Sequence, residues 1–359
     1  RNFPGDPNET KVVHDIEVIL QDPEISIVCE TMGGNEPAYT FSKRALEAGK
    51  SVCTSNKELV ANHGAELLRL ARENRCNYFF EASVGGGIPI IRPINDCLTA
   101  ERIVEVSGIL NGTTNYILTK MEQEGMLFEE ALGQAQALGY AERNPEADVE
   151  GYDACRKIAI LTSLVAGKTV DFHKIHTEGI TGIDPTDFAY AKKLDATIKL
   201  LAVSRETEDG YQISVAPYLL KKENALAGVN DVFNAVAVCG NTLGDTMFYG
   251  RGAGKLPTAS AVVADVVECA RHLQKTVGCL WEEGEAKVAD FDSQEGRFFV
   301  RVSKKAQTDV EKVFGDVVPV VLDSALEEFA FVTESMQEAE FEKCREQIFG
   351  FVKKIRIKD

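Results

Sequence analysis

Several features are scarce in this 359-residue sequence, and each absence excludes a class of protein. No apolar run is long enough to span a bilayer, and the N-terminal RNFPGDPNET does not resemble a signal peptide. Basic residues number 39 against 56 acidic ones, and the net charge of −17 argues against nucleic acid or an anionic membrane as the main partner. The nine cysteines include no CxxC pair, which indicates a reducing, cytoplasmic compartment and not a disulfide framework.

The N-terminal part of the chain alternates short apolar runs with amphipathic segments. The predicted strands cover 25–34, 50–57 and 77–87, and the predicted helices cover 36–49 and 62–75. Gly49 is expected to end the first helix and Asn62 to cap the second. Such alternation is typical of βαβ units on a parallel sheet, so the fold class is α/β. Ligands bind beyond the carboxyl ends of such strands, where this chain has Gly33, Lys57 and a glycine cluster at 85–87.

The pattern changes after residue 90 and predicts an α+β unit followed by a smaller module. The predicted helices cover 89–99, 113–124, 127–138, 149–166 and 186–203, and the predicted strands cover 102–110, 211–221, 231–238 and 244–249. A helix over 255–278, rich in small residues, is expected to be buried and to return to the first domain. After an acidic linker, residues 297–357 predict the order β-α-β-β-α-β of a ferredoxin-like module.

Charge is concentrated in LGYAERNPEADVEGYDACRK (138–157), directly before an apolar run. On a helix over 149–166, with Asp148 as its N-cap and Gly167 at its end, Asp153 and Lys157 lie roughly 40° apart around the axis. They share a stripe with the apolar residues that follow, which favours a partly buried pair suited to proton transfer. The alternative is a surface ion pair that contributes little.

Two other residues bear on the chemistry. Lys57 follows a parallel strand, and either lies beside a cofactor crevice or is an ordinary loop lysine. Cys155 lies on the opposite side of its helix from Asp153 and Lys157. That position argues against a thiol nucleophile and favours direct hydride exchange between an alcohol and a carbonyl.

Neither glycine cluster nor the histidine pair matches a standard motif. YGRGAGK (249–255) fails as a phosphate loop because Leu256 stands where Ser or Thr would bind magnesium. EASVGGGIP (81–89) either exposes carbonyl oxygens to a hard cation or only lets two backbones approach closely. His173 and His176 lack neighbouring ligands at zinc spacing, so they are interpreted as polar loop residues.

These residues and motifs resemble the homoserine dehydrogenase family. The similarity includes TSNK at Lys57, FEASVGGGIPII (80–91), GILNGTTNYIL (108–118), GRGAGKLPTASAVVAD (250–265) and, most specifically, ALGYAERNPEADVEGYDACRK (137–157). Together the similar segments cover about three quarters of the chain.

The resemblance implies an oxidoreductase that interconverts L-homoserine and L-aspartate 4-semialdehyde with NADP or NAD, in threonine, methionine and isoleucine biosynthesis. It implies a Rossmann-type parallel sheet over 1–90 with the return segment 250–278, and a catalytic and dimerisation domain over 91–249. An ACT-like domain over 295–359 would follow. A homodimer or higher homo-oligomer, and threonine as an effector, are also implied.

The resemblance carries roles over to particular residues. Lys157 would donate the proton to the carbonyl oxygen, Asp153 would orient it, and Lys57 would lie between nicotinamide and substrate. Further substrate-binding residues would be Glu142, which holds the ammonium, with Tyr140, Asp148 and Thr113. Gly33, Gly139 and Gly254 would approach the cofactor. A sodium ion would bind at Glu81, Val84, Gly86 and Ile88, chiefly through backbone oxygens.

Two departures from the family pattern stand out. The sequence has no GxGxxG, so the first βαβ glycine loop, which holds the pyrophosphate, is absent from it. We therefore expect the chain either to be part of a longer protein or to persist only through dimer contacts of the second domain, and in both cases to bind NAD(P) weakly by itself. The segment SKKAQTDVEKV (303–313) also lacks the Pro-Gly pair usual after the first ACT strand.

Two alternatives stay open at the level of sequence. The first is another two-domain semialdehyde oxidoreductase, which would require a thiol nucleophile on the substrate side. The second is a non-catalytic ACT-type amino-acid sensor, which has no use for the pair of Asp153 and Lys157.

Overall fold

The computed structural model describes residues 12–325 and 327–358; RNFPGDPNET, at the start of the chain, lies outside them. The first region contains α1 (Ile16–Gln21), β1 (Ile27–Glu30), α2 (Ala38–Glu47), β2 (Ser51–Thr54), α3 (Lys57–Glu73) and β3 (Tyr78–Phe79). Its three strands form a parallel sheet in the order β1-β2-β3, which confirms the predicted βαβ arrangement.

The second region supplies most of a large mixed sheet and the helices that cover it. Its elements are β4 (Ile103–Ile109), α4 (Gly112–Glu124), α5 (Phe128–Ala137), α6 (Glu146–Val149), α7 (Tyr152–Ala166), β5 (Lys168–Thr169), β6 (His176–Thr177), α8 (Pro185–Lys193), β7 (Ala196–Thr207), β8 (Gly210–Lys221), β9 (Phe233–Gly240) and β10 (Gly244–Arg251).

The third region returns to the parallel sheet and then forms the C-terminal module. Its elements are α9 (Lys255–Arg271), β11 (Glu282–Glu285), β12 (Glu295–Ser303), α10 (Gln307–Phe314), β13 (Val318–Val320), β14 (Glu328–Val332), β15 (Met336–Gln337), α11 (Glu338–Arg345) and β16 (Phe351–Lys358). The predicted order β-α-β-β-α-β is confirmed, apart from the added short strand β15.

The large sheet runs without interruption from the second region into the C-terminal module. Its strand order is β10-β9-β4-β7-β8-β16-β12-β14-β13, with β15 paired to β12 and β6 paired to β8. The junction is a parallel pairing of β16 with β8, in which Arg356 lies opposite Tyr218. The module is therefore joined to its neighbour by backbone hydrogen bonds as well as by side chains.

Several predicted elements differ from the structure. The predicted helix 186–203 is wrong beyond Lys193, because 196–207 forms β7. Strand β7 is buried on both faces, so its apolar run has no alternation to separate it from a buried helix. The predicted third strand 77–87 is only two residues long and continues as a helical turn over Glu81–Ser83. Among the residues of the predicted acidic linker, β11 pairs with β5.

Two helix starts also differ. Helix α3 begins at Lys57 and not at residue 62, because the Asn56 side chain, and not that of Asn62, accepts a hydrogen bond from the Leu59 amide. The predicted helix 149–166 is interrupted: Gly151, at φ +82°, separates α6 from α7, and Asp148 belongs to α6 instead of capping α7. Gly167 ends α7 as predicted.

Helix α9 returns to the parallel sheet, where the Sγ of Cys269 lies 3.5 Å from the Sγ of Cys53 on β2. Its predicted burial on most sides is wrong, because the only buried side chains on it are Ala261, Asp265 and Cys269. The Asp265 carboxylate accepts a hydrogen bond from the Glu81 amide at 2.9 Å. No helix of 12–325 or 327–358 is long and apolar enough to cross a membrane.

A buried ion cluster fastens the C-terminal module to α8. Arg301 on β12 is 3% exposed and contacts the carboxylate of Asp187, which is fully buried, at 2.5 Å. Its guanidinium also contacts Asp184 at 2.9 Å and Glu328 at 2.8 Å. Removing one partner of such a cluster leaves an uncompensated charge in the interior.

We expect Arg301→Met to lower the free energy of unfolding by about 3–5 kcal/mol, because Asp187 would stay buried without its cation. The control is Lys222→Met, which breaks the exposed pair with Asp195. That variant should change stability by less than about 1 kcal/mol. Thermal and denaturant unfolding of both variants measures the difference. Similar stability of the two variants would contradict the conclusion that the Arg301 cluster stabilises the fold.

The pH dependence of stability provides a second test, at Asp265. Burial raises the pKa of Asp265 from 3.8 to about 7. A raised pKa in the folded state stabilises the fold at low pH, and the contribution is lost as pH rises through about 7. Asp265→Asn should therefore be more stable than the parent at pH 8 by roughly 2–4 kcal/mol, with the gap narrowing below pH ~7 and closing near pH ~4. Thermal unfolding of both proteins across this pH range measures the difference. A stability difference that does not change with pH would contradict the raised pKa of Asp265.

Candidate functional site

A buried carboxylate with two ammonium groups lies between the parallel sheet and the large sheet. Asp153, on the first turn of α7, is 4% exposed. One of its oxygens lies 2.5 Å from Nζ of Lys57, and the other accepts a hydrogen bond from Nζ of Lys157 at 2.7 Å. Helix α3 supplies Lys57 and helix α7 supplies the other two residues. The structure thus brings together the three residues that the sequence singled out for catalysis.

The two lysines differ in exposure and in their remaining contacts. The side chain of Lys157 is 12% exposed and also donates to the carbonyl oxygen of Leu110 at 2.8 Å. That of Lys57 is 40% exposed. An ammonium group has three donors, so Lys157 keeps one for a third partner.

Asn111 connects this cluster to a second carboxylate. It is the N-cap of α4, and its side-chain oxygen accepts a hydrogen bond from the Thr114 amide. Its side-chain amide donates to Asp153 at 2.9 Å and to Asp148 at 2.7 Å. Prediction from sequence missed Asn111, although an Asn directly before an amphipathic helix is a recognisable cap signal.

The charges of the cluster are set by burial and by the paired lysines. Burial alone would raise the pKa of Asp153, but Lys157 and Lys57 hold that pKa well below its usual range. The pKa of Asp148 is raised, first by burial and then by the nearby Asp153 carboxylate. Asp153 is therefore ionised throughout the neutral range, and it holds both ammonium groups in place.

The other predicted substrate residues lie at the start of α4 and in the loop after α5. Thr113 donates from its hydroxyl to the carbonyl oxygen of Tyr140 at 2.7 Å, which ties the start of α4 to the loop after α5. Tyr140 is 44% exposed and its ring packs against Tyr116. Glu142 is exposed in the same loop, and its backbone carbonyl accepts from Gln136. Among the described residues no ion pair engages the Glu142 carboxylate, which leaves it available to a cationic ligand.

Three glycines predicted to approach a cofactor lie in open positions. Gly33 follows β1, Gly139 follows α5 at φ +76°, and Gly254 precedes α9 at φ +116°. A side chain added at Gly33 or Gly139 would meet no atom within 4 Å. Next to Gly33, the Asn56 side chain donates to the Gly34 carbonyl at 2.7 Å. The Lys57 end of α3 and the carboxyl end of β1 thus form one edge, which is accessible to a ligand.

The predicted sodium residues form a compact turn, and the carboxylate of Glu81 in it already accepts backbone hydrogen bonds. The Glu81 carboxylate accepts hydrogen bonds from the amides of Ile90, Ile91 and Arg92 at 2.6–3.0 Å. Among the described residues, no donor reaches the carbonyl oxygens of Val84 and Gly86. Backbone carbonyl oxygens are a ligand type that hard cations accept, whereas the Glu81 side chain is committed to the following helical turn.

The same turn packs directly against the glycine-rich loop that precedes α9. The Gly87 amide donates to the Arg251 carbonyl at 3.2 Å. A Cβ at Gly87 would lie 2.7 Å from the Pro257 side chain, and one at Gly86 would overlap the Gly252 backbone. Close approach of two backbones, one of the two interpretations of this cluster, therefore requires these glycines.

Two other sequence candidates lie outside the cluster. Cys155 is buried, its thiol donates to the Phe172 carbonyl at 3.4 Å, and burial raises its pKa. It is therefore a poor nucleophile, as its position on the helix predicted. His176 pairs with Glu178 at 2.6 Å and stacks on Phe291. No group of three or more metal-binding side chains occurs in the described part of the chain.

Comparison with known proteins identifies the family. Residues 89–267 match the family model described as homoserine dehydrogenase, and residues 4–81 match that of the homoserine dehydrogenase NAD-binding domain. A homoserine dehydrogenase of Bacillus subtilis is 38% identical over 342 residues, which cover 90% of this chain and 78% of the relative. One from Synechocystis is 49% identical over 257 residues, but these cover only 59% of that protein.

Solved structures agree with the sequence comparisons. The crystal structure of a homoserine dehydrogenase from Thiobacillus denitrificans matches with a TM-score of 0.88 and 34% identity, over 96% of this chain and 85% of that one. A hyperthermophilic archaeal homoserine dehydrogenase in complex with NADPH matches with a TM-score of 0.63 and 32% identity, over 72% and 75% of the two chains. The resemblance read from the sequence is confirmed, and the chain belongs to the homoserine dehydrogenase family of oxidoreductases.

Proposed function

We propose that this chain interconverts L-homoserine and L-aspartate 4-semialdehyde at the cluster of Lys57, Asp153 and Lys157. The observation that carries the proposal is one buried carboxylate in contact with two ammonium groups at the carboxyl edge of a parallel sheet. Hydride exchange between an alcohol and a carbonyl requires a proton donor at the reacting oxygen. An ammonium in a low-dielectric site supplies that proton and stabilises negative charge on the oxygen.

Lys157 is the proposed proton donor, and Asp153 is the residue that orients it. Lys157 is held by Asp153 on one side and by the Leu110 carbonyl on the other, so its remaining N–H has a defined direction. Lys57 is the more exposed ammonium and lies on the edge proposed for the cofactor. Loss of a proton from Lys157 would leave Asp153 paired with Lys57, so the buried carboxylate would keep a cation in both protonation states.

Glu142, Asp148, Tyr140 and Thr113 are proposed to bind the amino-acid end of the substrate. The Glu142 carboxylate is exposed and is proposed to hold the ammonium of homoserine. The Thr113–Tyr140 hydrogen bond keeps the loop that carries Glu142 next to the start of α4. Asp148 shares Asn111 with Asp153, which links the proposed binding residues to the proposed catalytic residues.

Gly33, Gly139, Gly254 and Lys57 are the residues proposed to hold NAD or NADP. When bound, the nicotinamide accepts or returns the hydride. The glycines allow close approach of a ligand, and Lys57 adds a positive charge at the same edge. A sodium ion on backbone oxygens of Glu81, Val84, Gly86 and Ile88 is part of the proposal. A homodimer, and threonine binding by the C-terminal module, are further predictions of the resemblance.

In the complete enzyme, with the first βαβ glycine loop present, Lys157→Ala should lower kcat for homoserine by at least about a hundredfold, the usual scale for a general acid. Substrate binding should change little, because the proposed ammonium site is elsewhere. Lys168→Ala is the matched control: this exposed lysine follows the end of the same helix, and its removal should leave kcat unchanged. Steady-state kinetics with both cofactors measure the effect. Turnover of Lys157→Ala close to that of the parent would remove Lys157 from the mechanism.

Glu142→Gln keeps the size of the side chain and removes the charge proposed to face the substrate ammonium. We expect KM for homoserine to rise about tenfold or more, since a charge-assisted hydrogen bond contributes about 1.5–3 kcal/mol. The dissociation constant of the cofactor should stay within about twofold. Glu146→Gln, an exposed acid of the same segment, is the control. Equal weakening of substrate and cofactor binding would assign Glu142 a structural role instead.

A further inference from the structure

One arginine of the C-terminal module contacts the start of the segment that follows β6, next to the proposed active site. Arg356 on β16 is 5% exposed, and its Nη1 lies 2.9 Å from the carboxylate of Glu178. Its Nε donates to Glu338 at 2.5 Å, and its guanidinium lies over the ring of Phe291, 5.1 Å from the centroid. Glu178 follows β6, outside the module, so the pair with Arg356 bridges two regions of the chain.

Glu178 belongs to a segment that lies directly against the break between α6 and α7. The Ile180 amide donates to the Val149 carbonyl at 2.8 Å. A Cβ added at Gly179 would lie 2.5 Å from that same carbonyl oxygen. A Cβ at Gly151 would lie 3.3 Å from the Glu178 carbonyl. Backbone therefore packs on backbone over residues 178–180 and 149–151, with the Glu150 side chain also close, since its Oε2 would lie 2.5 Å from a Cβ at Gly179.

The break at Gly151 sets the relative position of two site carboxylates. Asp148 lies on α6 before it, Asp153 lies on α7 after it, and the Asn111 amide spans both. Asp153 is also held by its lysines at 2.5 and 2.7 Å. Contacts this short leave little tolerance, so a small shift of residues 149–151 would alter the geometry of the proton donor.

We infer that Arg356 is a positioning residue for the reaction. By holding Glu178, Arg356 keeps residues 178–180 against the turn at 149–151. That turn determines the positions of Asp153 and Lys157. The pKa of Glu178 is lowered to about 2: burial opposes this, but His176 and Arg356 outweigh it. Glu178 is therefore ionised at neutral pH, so the ion pair with Arg356 persists at the pH of the reaction. The inference rests on the proposed function.

The test compares Arg356→Met with Lys358→Met in the full chain. Lys358 is two residues further along β16 and also pairs with a carboxylate, that of Glu105 on β4 at 2.5 Å. Both variants remove a cation that fastens the module, but only Arg356 contacts Glu178. We expect Arg356→Met to lower kcat for homoserine about tenfold with KM for the cofactor unchanged. Lys358→Met should keep kcat within twofold even where its melting temperature falls.

A readout that does not depend on activity separates this inference from the proposed function. Amide hydrogen exchange at residues 147–153 should be faster in Arg356→Met than in Lys358→Met. Arg356→Met combined with Glu178→Gln should have kcat no lower than the worse single variant, because both changes break one link. Equal exchange in the two Met variants, or equal loss of kcat, would overturn the positioning role. If Arg356→Met exchanges faster than Lys358→Met but the parent chain does not turn over homoserine, the proposed function alone is overturned.

Discussion

The ion cluster at Asp153 is the interaction on which the arrangement of the two sheets depends. A carboxylate that is 4% exposed is tolerated in an interior only with close cations, and here the cations come from two different helices. Lys57 begins the helix that follows β2 of the parallel sheet, and Lys157 lies on the helix that covers the large sheet. The electrostatic requirement of one side chain therefore links the two layers, with the proposed reaction site between them.

Hydrogen bonds around the cluster orient its side chains. Asn111 contacts both Asp148 and Asp153, and the Leu110 carbonyl contacts Lys157. Leu110 and Asn111 lie between the end of β4 and the start of α4, so the cluster is connected directly to a strand of the large sheet. Side chains held at the ends of strands and helices are positioned more precisely than side chains on loops. The Glu142 loop is less constrained, which is compatible with the substrate-binding role proposed for it.

Sequence predicted the elements that follow a single period and missed features that depend on burial on both faces, on a cap or on a positive φ angle. The βαβ order, the β-α-β-β-α-β module and the shared face of Asp153 and Lys157 follow from local periodicity and are confirmed. The strand β7 was predicted as a helix because burial on both faces removes the alternation that marks a strand. The start of α3 at Lys57 and the break at Gly151 depend on a cap and on a positive φ angle. Periodicity carries no signal for either, and the role of Asn111 needs the fold itself.

The parallel pairing of β16 with β8 has a consequence for how this architecture can change. A module attached by a flexible tether can be removed or exchanged with little effect on its neighbour, but here Arg356 to Lys358 complete the hydrogen bonding of Tyr218 to Leu220. A version of the chain without the module would present those residues of β8 as an open strand edge, which is a template for aggregation. Loss of the module over evolution would therefore require a compensating cover for β8, such as another strand, a helix or a partner chain.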